Sequence, residues 1–92
     1  MAGPLYIAEA SDQLKQVELD GLTAVFHRRS GLTHLVAAPA PQILEVLAEP
    51  GDIEDIVARL ERQFELSAEG DTHAAVQTRL AELEIAGLVS RA

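Results

Sequence analysis

Two prolines, Pro39 and Pro41, divide this chain into a part that reads as strand and a part that reads as helix. Proline has no N–H for a ladder and holds φ near about −65°, so β pairing stops at the first of them. The second can sit in the first turn of a helix, where the missing N–H costs nothing. The stretch SGLTHLVAAPAPQILEVL over residues 30–47 is therefore a turn, an extended segment over residues 32–37, a break, and a helix.

Upstream of the prolines the pattern is β. Residues 1–13 form a loosely ordered arm or an extra strand, with Leu5, Tyr6 and Ile7 extended and Ser11-Asp12 as a turn. Val17-Glu18-Leu19 alternates apolar and polar, as a half-buried strand does. Asp20-Gly21 is a tight-turn signal. Residues 23–27 are rich in β-branched and aromatic side chains and make a second strand. Arg29-Ser30-Gly31 fits a three-residue hairpin loop, with Gly31 in the left-handed position. That register sets Arg28 opposite Leu32, Phe26 opposite His34 and Val25 opposite Leu35. Both faces of the resulting strand carry apolar residues, so the side that meets the core stays open.

Downstream the pattern is helical. Ile43, Leu44 and Leu47 form one apolar stripe, and Pro50-Gly51 stops that helix. Asp52 caps a second helix, with Asp55 at the third position closing a reciprocal capping box. Ile53, Ile56, Val57, Leu60 and Phe64 follow its period. Residues 65–70 read as a polar loop, and Asp71 or Thr72 as the cap of a third helix buried through Val76, Leu80 and Leu83. Gly87 is its left-handed C-terminal residue, with Leu88 folding back on the last turn. The order predicts an α+β fold: a winged helix-turn-helix, with a small three-stranded antiparallel sheet followed by three helices, in one domain over residues 1–92.

Composition narrows the function classes. With 92 residues, 48% of them hydrophobic, the chain supports one core. Tyr6, Phe26 and Phe64 are its aromatics, so Ala, Leu, Ile and Val must build that core. No cysteine is present to hold a metal or a disulfide. No apolar run approaches the ~20 residues of a membrane span. The N-terminus lacks a basic region followed by an apolar block, so a cytoplasmic location is the expectation. The formal net charge is −8; residues 1–46 contribute −2 and residues 47–92 contribute −6. Such a surface repels phosphate backbones and anionic lipid heads, so neither nucleic acid nor membrane is an expected partner.

Ser30-Gly31-x-Thr33-His34-Leu35, Ile43-Leu44, Ile56-Val57-x-x-Leu60 and Leu80-x-x-Leu83-x-x-x-Gly87-Leu88-Val89 resemble the PqqD-like family of small peptide chaperones, or precursor-peptide recognition elements. The SGxTHL string is most similar to a branch found beside a kinase related to HPr kinase. The resemblance spans residues 17–89. One departure is Val36-Ala37, where many members have Leu-Asn; Pro39 and Pro41 must then turn the chain into the first helix. The resemblance implies a non-enzymatic protein without cofactors. Such a protein binds the leader of a ribosomally made precursor peptide and presents it to a modifying enzyme, the leader adding as a strand to the third strand beside the third helix.

The residues themselves bear on that implication. An exposed edge is usually blunted by Lys, Pro or a bulge, yet residues 32–38 contain neither Lys nor Pro. Strand addition draws affinity from main-chain hydrogen bonds and specificity from side-chain pockets. The candidate peptide-binding residues are Leu32, Thr33, His34, Leu35, Val36 and Ala37 on the strand. Ala75, Arg79, Glu82 and Ala86, on a stripe of the third helix next to its buried one, are candidates for the far wall. The competing view is that residues 1–13 cover this edge.

Other chemistry is weaker. His27, His34 and His73 fall on different elements with no carboxylate at ligand spacing, so no metal site is expected. His34 reads as a structural or groove residue and His73 as solvated. Ser30 and Ser67 lack a base that would make either a nucleophile. A DNA-binding winged helix needs basic side chains on its recognition helix, and the third helix brings only Arg79, against Glu82 and Glu84. An adaptor or oligomerisation domain remains as an alternative, and both a monomer and a homodimer fit.

Overall fold

The computed structural model describes residues 3–64 and 72–92. The polar loop over residues 65–70, Ser67 and the Asp71 cap lie outside the described residues. Among the described residues the order is β1 (Tyr6–Ala8), a 3-10 turn (Ser11–Gln13), β2 (Leu14–Leu19), β3 (Leu22–His27), β4 (Leu32–Val36), α1 (Ala40–Val46), α2 (Ile53–Gln63), α3 (Thr72–Ile85) and β5 (Val89–Arg91). The expected three strands are β2, β3 and β4, joined as an antiparallel meander in that order, and the three helices follow them. The fold is α+β with the winged-helix arrangement.

The turns explain the meander. Asp20 and Gly21 both take positive φ, 39° and 88°. Leu19 pairs with Leu22 across this two-residue turn, whose backbone twist matches that of its strands. The next loop is longer than expected. His27 pairs with Leu32, so four residues connect β3 and β4 rather than three. Gly31, at φ 74°, donates its N–H to His27 O at 2.8 Å. Phe26 thus faces Thr33, Val25 faces His34 and Ala24 faces Leu35, one residue away from the expected register. A left-handed glycine closes a three- or a four-residue loop equally well, which is why composition does not separate them.

Sheet parity then follows. Val25 and Val36 are buried in the core they share with the helices, and His27 is buried on the same sheet face. Val17, Leu19, Leu22, Phe26 and Leu35 stay exposed on the outer face, which no described helix covers. The core joins Val25 and Val36 to Ile43, Leu44 and Leu47, to Ile56 and Leu60, and to Val76, Leu80 and Leu83.

The helices end as their caps dictate. Asp55 N–H donates to Asp52 Oδ1 at 2.8 Å, and Asp52 N–H donates to Asp55 Oδ2 at 3.1 Å, a full capping box. Phe64 is not the last residue of α2 but its extended C-cap; its ring still packs on the core. Its spacing continues the apolar stripe, and the stripe does not show where the backbone leaves the helix. Gly87 has φ 79°, with Leu88 N–H bonded to Leu83 O and Gly87 N–H to Glu84 O. This is the Schellman arrangement, and Leu88 is fully buried.

Both ends of the described chain are fastened together. β1 pairs antiparallel with β5, Tyr6 opposite Arg91 and Ala8 opposite Val89. Tyr6 and Gly51 exchange main-chain hydrogen bonds at 2.8 and 3.0 Å. Arg59 stands over this point and donates to the carbonyls of Val46, Glu49 and Pro50, which the end of α1 leaves unpaired. A Cβ at Gly51 would approach Arg59 Nη1 to 2.8 Å and Asp55 Cβ to 3.0 Å, so a larger residue would have to displace the Arg59 guanidinium from its carbonyls. Residues 6–8 are therefore a strand, as one expectation had it, but of the β5 ladder and not of the meander.

Candidate functional site

β4 is an edge strand, and its open groups can be identified. Arg28 N–H donates to Gln13 O at 2.8 Å, directly across the β2–β3 pair. In an antiparallel pair, bonded and non-bonded pairs alternate. Leu22, Ala24 and Phe26 therefore turn their main chain to β2, and Thr23, Val25 and His27 turn theirs to β4. On β4, Leu32, His34 and Val36 answer β3, while Thr33 and Leu35 direct N–H and C=O away from the sheet. No described residue pairs with those groups: β1 lies on β5, so the described part of the N-terminal arm leaves this edge open.

The edge ends sharply. Ala37 leaves the strand and its carbonyl accepts from Ala40 N–H at 2.9 Å. The carbonyl of Ala38 accepts from Arg79 Nε at 3.4 Å. Arg79, half-buried, also pairs with Glu82 at 2.8 Å. This tether brings α3 to the point where β4 stops. Of the other α3 candidates, Ala75 and Glu82 are exposed, and Ala86 is half-buried and packs on the core. The strand candidates divide by parity. Leu35, 63% exposed, and Thr33 face solvent, whereas His34 and Val36 face the helical side. Leu32, at the strand's start, is exposed. His34 is half-buried, and its Nε2 is shielded without a hydrogen-bond partner among the described residues.

Two sequence expectations need correction. Ser30 does have a base beside it: its Oγ lies 3.1 Å from His27 Nδ1 while accepting from Leu32 N–H at 3.2 Å. His27 in turn has Glu9 Oε1 3.7 Å from its Nε2. His27 is 5% exposed, and Ser30 is spent on shaping the hairpin, so the trio holds the loop against the N-terminal arm. A carboxylate also pairs with His73, Glu54 Oε1 at 3.1 Å from its Nε2. Neither pairing is visible in local spacing, because Glu9 and Glu54 arrive from other elements. No group of three or more His, Cys, Asp or Glu among the described residues is placed to hold a metal.

A separate depression of about 700 Å³ lies at the other edge of the sheet, between β2 and α1. Sequence reasoning gave no sign of it, since a gap between elements leaves no periodic trace. No helix among the described residues is long and apolar enough to cross a membrane.

No protein-family model and no curated protein matches the chain. Among solved structures it is similar to TbiB1, determined in complex with the TbiA(beta) leader peptide. The identity is 18% and the TM-score 0.57, over 89% of this chain and 94% of TbiB1. At that identity the likeness establishes a shared fold: the meander and helices that expose the β4 edge here are arranged as in a chain solved with a leader peptide.

Proposed function

We propose that the chain is a non-catalytic, PqqD-like precursor-peptide recognition element, acting in the cytoplasm. A leader peptide adds as a strand to β4, bonding to the outward main chain of Thr33 and Leu35. Its inward side chains enter beside His34 and Val36 and meet α3 along Ala75, Arg79, Glu82 and Ala86. The domain presents the leader to a modifying enzyme, such as one of the HPr-kinase-related cassette. The observation that carries this reading is the unblocked β4 edge; the fold shared with TbiB1, solved with a leader peptide, supports it.

The test is a titration with the leader of a precursor peptide encoded beside this chain, followed by amide shifts. Movement at residues 32–37 and along α3 is expected; movement confined to other elements would sink the proposal.

One observation favours a second reading. The exposed Val17, Leu19, Leu22, Phe26 and Leu35 share the outer sheet face, a surface suited to an adaptor or to a homodimer. A stable dimeric mass without peptide, lost in Leu35→Glu, would favour it. DNA binding is opposed by the structure: Arg79 is held by Glu82 and Ala38, and Arg59 by three carbonyls.

A further inference from the structure

Among the described residues, no element covers the inner face of β2. Gln16 and Glu18 point to the same side as their cross-strand neighbours Val25 and Thr23, yet both are exposed while Val25 is fully buried. The depression between β2 and α1 is lined there by Leu14, Leu44, Ile7 and Phe64. Past Gln16, Pro41 and Gln42 it runs on into a second depression of about 360 Å³ that ends at Glu18. The two form one trough along the strand, apolar at the Leu14 end and polar at the Glu18 end.

Three features point to one kind of occupant. Among the described residues, the charged side chains lining the two depressions are Glu9, Glu45 and Glu18, without a Lys or Arg; the exposed Arg29 reaches Glu9 from outside at 3.6 Å. Gln42, whose Oε1 is shielded without a hydrogen-bond partner among the described residues, lines both depressions where they meet. The register that frees Thr33 and Leu35 on β4 also frees the main chain of Gln16 and Glu18 on β2, and the carbonyl of Leu14, whose N–H donates to Ser11 O. These are the residues whose side chains face the trough.

We infer that the β2–α1 trough is a second docking site, for an extended, apolar and basic segment of a partner protein. The segment adds to the β2 edge. It sets apolar side chains opposite Leu14 and Gln16, and a Lys or Arg opposite Glu18, with main-chain bonds supplying affinity and the trough supplying selection. The inference does not rest on the proposed function: a leader on β4 and a segment on β2 are read at different amides and can be bound together.

The probe is a blocked hexapeptide, Leu-Ser-Leu-Ser-Lys-Ser, and its reverse, since a strand can add in either direction. Titration is expected to shift the amides of Gln16, Glu18 and Ala48, with Thr33 and Leu35 unmoved. Replacing the Lys of the probe by Glu abolishes the shifts. Glu18→Gln and Glu45→Gln, both at exposed positions, each weaken binding about threefold. Ala48→Trp, also at an exposed position, fills the trough and weakens binding by about tenfold or more. Shifts confined to β4, equal binding of the Glu peptide, or no shifts at millimolar peptide would overturn the inference. So would a dimer that Ala48→Trp dissociates, which would give the trough to a second copy of the chain.

Discussion

The two edge strands of the described three-stranded sheet, β4 and β2, are built on opposite parity. On β4 the residues with outward main chain, Thr33 and Leu35, carry side chains that face solvent. On β2 the residues with outward main chain, Gln16 and Glu18, carry side chains that face the helical side. One register produces both results, because bonded pairs alternate along each strand and opposite residues share a face. The helices add a second difference. They close under β3 and β4, burying Val25 and Val36, and stop short of β2. In the proposed mode, a strand added to β4 would meet a packed wall and α3, with Arg79 marking its end. A strand added to β2 would lie over an open trough. The general lesson is that an unpaired edge becomes selective according to what lies beneath it, and the two ends of this sheet differ there more than in their main chain.

The largest effect is expected from a change that both edges share. Leu83→Ala removes a fully buried side chain of α3 and should cost about 2–5 kcal/mol in urea unfolding. A smaller loss would mean that α3 is not part of the common core. The sharpest test of parity is a pair of prolines. Val17 turns its N–H into the ladder with Ala24, so Val17→Pro should cost about 3 kcal/mol or more. Leu35→Pro removes an outward N–H and should leave the fold intact, because proline is tolerated on an edge when its missing N–H faces solvent. It should also weaken leader binding by about 1–3 kcal/mol. Equal destabilisation by the two prolines, read by circular dichroism during thermal unfolding, would break the assigned alternation.

Arg79→Ala is expected to act on one edge only. It releases α3 from Ala38 and should weaken leader binding by about 1 kcal/mol while leaving the β2 amides unmoved. The smallest effect should come from Glu82→Gln, which breaks a half-exposed pair with Arg79. A stability change within about 0.5 kcal/mol is expected in urea unfolding.

Most of what makes these edges was legible in local chemistry. Asp20-Gly21, Gly31 and Gly87 each name a backbone conformation that glycine or a short polar residue takes at low cost, and each appears where it was expected. The Asp52–Asp55 box and the apolar stripes of α2 and α3 have the same local origin. What escaped was non-local. Tyr6 finds Arg91 at the far end of the chain, a pairing that three-residue strands do not announce. The Ser30–His27–Glu9 chain needs a loop and an arm to converge. The loop length at Gly31 was off by one residue, and that single step reverses which of Leu35 and Val36 faces the core. The candidate edge could therefore be located from the absence of Lys and Pro, but its inward residues could not.

The most direct measurement is amide hydrogen exchange with and without the leader peptide. In the free protein, Thr33 and Leu35 should exchange rapidly while His34 and Val36, bonded to β3, are protected. Added leader should slow Thr33 and Leu35 and leave Gln16 and Glu18 fast. Protection of Gln16 and Glu18 with Thr33 and Leu35 unchanged would contradict strand addition at β4.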